Sequence, residues 1–132
     1  TLFENKYGYN QMLVEKNISV YSMCEHHFVP IIGKAHVAYI ANGKVIGLSK
    51  IHRMVKYFSQ RPQVQERLTK QIMENLKETL GIEDAAVVID ARHMCVECRG
   101  VEDVTSNTIT SAISGQFTKD TTRSEFLRFI GM

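Results

Sequence analysis

The sequence predicts an α+β domain built on an antiparallel sheet, and three observations carry that expectation. Two segments of strand character precede a central helical stretch, and two more follow it. The helical stretch repeats apolar residues every four positions, as a packed helix face does. Strands paired on either side of a helical insert match a sheet with grouped helices rather than alternating βαβ units. The 132 residues argue for one domain, 1–132. A chain of that length buries roughly two-thirds of its unfolded surface and needs no disulfide framework.

Residues Met12 to Ser22 alternate loosely and carry β-branched side chains, which reads as a strand. Lys34 to Ala41 reads as a second strand, closed by the turn signal Asn42-Gly43. Ser49 suits the N-cap of a helix over Lys50 to Gln60, whose stripe is Ile51, Met54, Val55 and Phe58. Pro62 suits the first turn of a second helix. Val64, Leu68, Ile72, Leu76 and Leu80 form its stripe, and Gly81 ends it. Ala85 to Val96 reads as a strand, and Val104 to Phe117 as another strand or a bent pair. Thr122 and Glu125 form a capping box for a short helix containing Phe126, Leu127, Phe129 and Ile130.

Composition excludes several classes. Hydrophobic content of 44% and charged content of 23% are those of a globular protein. No apolar run reaches a membrane span and no signal peptide is visible, so no membrane partner is expected. A net charge of +2 is too small for a dedicated nucleic-acid binder. Three cysteines, an odd count without a secretory signal, point to a reducing cytosol with thiols free for metal or chemistry.

The chemistry concentrates in Cys24-Glu25-His26-His27 and, far downstream, His93-Met94-Cys95. Cys24 and His27 are spaced so that one tight turn aims both at a single ion such as zinc. A third ligand must come from His93, Cys95 or Cys98. On a strand, Val87, Ile89, Ala91, His93 and Cys95 share one face while Met94, Val96 and Cys98 share the other. Cys95 and Cys98 also make a Cys-x-x-Cys half-site. They point apart in a continuing strand, and a turn starting at Cys95 would bring them together. Cys24, His27 and Cys95 are the favoured ligands, with water in the fourth position of an open, catalytic-type site.

His26 and His93 then stand beside the ion without binding it, and an imidazole moves protons near neutrality. His36 and His52 lack such neighbours and receive no chemical role. Lys50 and Arg53 share a helix face and, with Arg99 and Arg61, suit an anionic substrate such as a phosphate, or form a solvated basic face. Gln65 and Glu66 open the second helix. There a glutamate complements the dipole or accepts two N–H bonds from a guanine-like edge, and spacing does not choose.

The blocks Cys24-Glu25-His26-His27-Phe28, Gly47-Leu48-Ser49-Lys50, Gln63-Val64-Gln65-Glu66-Arg67-Leu68-Thr69 and His93-Met94-Cys95 with Arg99-Gly100 resemble the signature of GTP cyclohydrolase I. The resemblance runs from about Tyr7 to the C-terminus. It implies conversion of GTP to 7,8-dihydroneopterin triphosphate and formate, the entry to folate and other pterins. It makes Cys24, His27 and Cys95 the Zn2+ ligands and His26 and His93 the proton-transfer residues. Gln65 and Glu66 would anchor guanine, Lys50, Arg53 and Arg99 the triphosphate, and Ser49 would sit near the ribose. It further implies the tunnelling fold, an antiparallel four-stranded sheet with two helices on one face. Subunits of that fold close into a barrel, typically as a cytoplasmic, allosteric homodecamer of two pentamers with pockets between subunits. Two departures stand out: the helices that precede the first strand in the family have no counterpart here, and Cys98 holds a place usually taken by a non-thiol residue. The alternatives are a relative acting on another purine or pterin, such as a nitrile reductase, and a zinc-stabilised assembly module. Retention of both histidines argues against the first; Cys98 as a fourth ligand would support the second.

Overall fold

The computed structural model describes residues 2–94 and 105–132. The strands are β1 (Leu2–Glu4), β2 (Met12–Cys24), β3 (Pro30–Ile40), β4 (Lys44–Ile46), β5 (Pro62–Gln63), β6 (Ala85–His93) and β7 (Thr108–Ser114). The helices are α1 (Leu48–Ser59), α2 (Gln65–Leu80) and α3 (Asp120–Phe129), with a 3-10 turn over Gly115–Thr118. The main sheet has the order β5-β2-β3-β6-β7, and β1 with β4 forms a separate ribbon. All main-sheet neighbours are antiparallel except β5, which joins β2 in parallel through Met23↔Pro62 and Cys24↔Gln63.

The sheet has five strands rather than the expected four: β2-β3-β6-β7 run antiparallel and the two-residue β5 is added at the β2 edge. Two helices cover one face as expected. Ile51, Met54 and Val55 of α1 and Leu68, Ile72 and Leu76 of α2 bury against Ile18, Val20, Ile31, Val37, Tyr39, Val87 and Ile89. The other face is not left bare. Phe117 and Phe126 cover Met12, Ala38, Ala86 and Val88 there, their rings 5.7 Å apart in an edge-to-face contact. Burial on both faces explains why the first five residues of β6, Ala85-Ala86-Val87-Val88-Ile89, are uninterruptedly apolar rather than alternating.

Several local expectations give way to longer-range pairing. Helix α1 starts at Leu48, with Gly47 as its N-cap, so Ser49 lies inside it. Pro62 is not helical: it extends alongside Met23, and α2 starts three residues later, with Val64 as N-cap. Thr122 and Glu125 lie within α3, whose N-cap is Lys119 and whose first turn carries Asp120. The Val104–Phe117 segment contains one strand, not two, within the described residues. Strand β6 stops at His93, short of the expected Val96. Gly81 does terminate α2, in the left-handed conformation (φ 65°).

One bulge interrupts β2. The register slips between Glu15 and Ile18, and Asn17 there has φ 62°. The Asn17 N–H donates to Nδ1 of buried His36 at 3.0 Å. His52 instead pairs with Glu15 at 2.8 Å, tying α1 to β2. No helix among the described residues is long and apolar enough to cross a membrane.

Phe126 is fully buried at the centre of the second core. Phe126→Ala is expected to cost about 3–5 kcal/mol, read as a lowered denaturation midpoint. An unchanged midpoint would mean that α3 does not cover the sheet.

Candidate active site

The Cys24–Pro30 connection is a tight loop with both ends fixed. Cys24 N–H donates to the Val29 carbonyl at 2.9 Å, and Phe28 N–H donates back to the Cys24 carbonyl at 2.8 Å. Phe28 turns the chain with φ 54°, a conformation uncommon for an aromatic residue. This geometry brings Cys24 Sγ within 3.9 Å of His27 Nδ1. A thiolate and an imidazole on one tetrahedral zinc-sized ion stand about 3.6 Å apart, so the pair fits such an ion with little movement. Among the described residues no further His, Cys, Asp or Glu completes a cluster of three. Cys95, Cys98 and Arg99 lie outside the described residues.

His26 is exposed, its ring 6.4 Å from that of His27 and steeply inclined to it. His93 approaches from the sheet. It pairs with Ile31, which pairs with Ser22 on its other side, so His93 lies two strands, about 10 Å, from the end of β2. Cys24 packs on the helix-covered face, and His93 follows Ile89 and Ala91 on that same face. Burial lowers the His93 pKa, and the negative charge of Glu66 opposes that shift. Glu66 itself is exposed in the first turn of α2.

The loop and His93 are both fastened to the head of α2. On the loop side, Glu25 N–H donates to the Gln63 carbonyl at 3.0 Å, and the Arg67 guanidinium donates to the Glu25 carboxylate at 2.6 Å. Arg67 also donates to Gln63 Oε1, while Gln63 Nε2 donates to the Phe58 carbonyl and to Gln71. On the sheet side, fully buried Gln65 contacts His93 Nε2 at 2.6 Å. Sequence reasoning missed Glu25, Gln63 and Arg67 as supports. For Gln65 a signal existed: it lies on the apolar stripe of α2, in line with Thr69, Ile72 and Leu76, where a polar residue needs an internal partner.

Ser49, Lys50 and Arg53 are not brought to this place. Ser49 and Lys50 lie in the first turn of α1 and Arg53 near its middle, whereas its far end leads to β5 and the loop. Twelve residues make α1 about 18 Å long. Lys50 and Arg53 instead line an open cavity of about 580 Å³ with Lys56, Tyr57 and Asn75. Arg61 stacks over Tyr57 at 4.9 Å and Phe58 at 5.5 Å.

Glu25 is held below the usual carboxylate range, chiefly by its hydrogen bond from Arg67. A lowered folded-state pKa means the clasp contributes above the unfolded value and is lost as pH falls through the folded one. The protection factor of the Glu25 amide, its exchange relative to the intrinsic rate, should therefore be high at neutral pH and fall once pH drops below the ordinary carboxylate range. Glu25→Gln should show faster exchange already at pH 7. An amide equally protected in both proteins would show that Arg67 does not hold the loop.

The chain matches the GTP cyclohydrolase I family over residues 1–131. It is 59% identical over 128 residues to GTP cyclohydrolase 1 of Flavobacterium johnsoniae, covering 97% of this chain and 57% of that one. It is 56% identical over 125 residues to that of Chlorobaculum tepidum, covering 94% and 56%. It is also 56% identical over 128 residues to that of Aeromonas hydrophila, covering 96% and 59%. The chain thus spans under three-fifths of the length of these curated relatives. Among solved structures, the apo archaeosine synthase QueF-Like shares the fold with a TM-score of 0.66 at 18% identity, covering 79% of this chain and 93% of that one. That likeness supports a tunnelling-fold-like α+β architecture. With the family matched from end to end and relatives above half identity, the chain belongs to the GTP cyclohydrolase I family.

Proposed function

We propose that this chain carries out zinc-dependent conversion of GTP to 7,8-dihydroneopterin triphosphate and formate, in the cytoplasm. The observation that carries the reading is convergence. The Cys24–His27 loop, His93 and Glu66 meet at one end of the sheet, on or beside the face that bears α2. Cys24, His27 and Cys95 would hold Zn2+, and their soft sulfur and imidazole donors suit it. When bound, such an ion supplies Lewis acidity and hydroxide near neutral pH.

The protein's own groups then divide the work. Glu66, exposed at the start of α2, accepts N–H bonds from the guanine edge and fixes the heterocycle. His26, exposed beside the ligand pair, delivers a proton to N7 as water adds at C8. Ring opening and a second hydrolysis release C8 as formate. His93 serves as acid and base while the ribose opens and rearranges, before the pterin ring closes. Lys50, Arg53 and Arg99 hold the triphosphate, so binding energy remote from C8 positions the reacting carbon. Ser49 assists near the ribose.

The distance between the two ends of α1 supports a site completed by a neighbouring subunit. A single chain keeps Ser49 and Lys50 about 14–15 Å, and Arg53 about 9 Å, along α1 from its loop end. Among the described residues β7 pairs on one side only, and Ile109 on it is exposed. A free edge with an apolar residue suits joining into a barrel, in the decamer of two pentamers expected of the family.

Zinc-loaded full-length protein incubated with GTP should release formate and a product that fluoresces as a pterin after oxidation; no product would sink this reading. His26→Ala should keep its zinc while turnover falls about 100-fold or more; loss of the metal would make His26 a ligand instead. Inactive His26→Ala and Lys50→Ala chains, co-assembled, should recover activity that neither has alone. Failure to recover would place both groups in one chain's pocket.

A further inference from the structure

We propose that Gln65 is a positioning residue for His93. Its side-chain carbonyl fixes the imidazole as the Nε2–H tautomer, which leaves Nδ1 as the nitrogen able to take a proton. The proposal rests on the functional reading above, but it assigns Gln65 a different task from contact with guanine.

The argument is one of elimination among donors and acceptors. A glutamine amide has one accepting end and one donating end. The Nε2 end of Gln65 lies 3.2 Å from the Ile89 carbonyl and 2.9 Å from the Thr108 carbonyl. Main-chain carbonyls only accept, so this end must be the NH2 group. The opposite end, Oε1, can then only accept, and it faces His93 Nε2 at 2.6 Å. His93 must therefore carry its hydrogen on Nε2.

The neighbouring hydroxyls agree with that orientation. Gln65 Nε2 is 3.0 Å from Thr110 Oγ1, which is 2.8 Å from Thr69 Oγ1. Thr69 in turn donates to the main-chain carbonyl of Gln65 at 2.9 Å. With that hydrogen spent, Thr69 accepts from Thr110, and Thr110 accepts from Gln65. The relay runs from the side chain of Gln65 back to its own backbone, and the second amide hydrogen is shared between the Thr108 and Ile89 carbonyls. At 1% exposure the side chain presents almost no surface to a heterocycle.

The same contacts show why His93 needs outside help. It is the last residue of β6 in the ladder, where the strand no longer fixes the ring. A histidine whose second nitrogen is held by a fixed acceptor keeps one tautomer and one orientation.

The test is long-range proton–nitrogen NMR on ¹⁵N-histidine-labelled full-length protein at neutral pH, metal-free and zinc-loaded. His93 is expected to show a protonated Nε2 and a lone-pair Nδ1 in both states. The reverse tautomer, or an averaged pair as in a free imidazole, overturns the proposal. Gln65→Met keeps the length and burial but cannot accept a hydrogen bond. It should release the tautomer and lower kcat roughly 10- to 100-fold, while KM for GTP and zinc content hold. A raised KM with unchanged kcat would mean that Gln65 binds GTP, and would also overturn it. Should Gln65→Met not fold, the wild-type spectrum still decides. A fixed tautomer in a protein that does not consume GTP would sink the functional reading alone. An averaged tautomer in an active enzyme would sink this one alone.

Discussion

Two buried amides at the head of α2 set the position of the Cys24–His27 loop and of His93. Gln63 and Gln65 are almost wholly removed from water, and a buried amide without partners costs several kcal/mol. Each finds its partners on several separate elements. Gln63 needs the end of α1, Gln71 and Arg67 around it; Gln65 needs β6, β7 and His93. Hydrophobic packing would tolerate small slides of α2 along the sheet. The two amides do not, because directional bonds lengthen and break where apolar contacts only readjust.

The sheet beneath is suited to that demand. Its two central strands are covered on both faces, by α1 and α2 on one side and by Phe117 and Phe126 on the other. Close approach of β3 and β6 at Gly33 leaves no room for a side chain against Ala91. A platform packed in this way transmits position from one strand to the next with little slack. The exposed loop over Cys24–His27 and the end of β6 can thus keep a common frame although they come from distant parts of the chain.

Much of this was legible in the residues. The four-residue repeat of α2, its Gly81 stop and the unbroken apolar run of β6 all correspond to what formed. The Cys24–His27 pairing was also readable, because three-residue spacing on a turn is a local matter. What failed was equally local. Ser49, Pro62 and Thr122 are good helix starters by type, yet each start was decided by something non-local or by the preceding chain. Pro62 was drawn into a strand beside Met23, and Gly47 took the cap because β4 ends at Ile46. The role of Gln65 was hidden for another reason. Its place on the apolar stripe of α2 called for an internal partner, but that partner, His93, lies on a strand 28 residues away.

The parallel bridge between Met23-Cys24 and Pro62-Gln63 has a consequence for how the protein acquires its site during folding. The bonds that secure the loop close across 42 residues, and those that secure Gln65 close across 43. Closures of that span are entropically expensive and slow compared with helix formation or a hairpin turn. The Cys24–His27 loop can form early as part of the β2–β3 hairpin, but it hangs unanchored until α2 docks. The framework around His93 waits longer still, for β7. A nascent chain emerging from synthesis therefore carries its complete motif well before it carries a working arrangement of it. The thiol of Cys24 spends that interval held by nothing but its own turn.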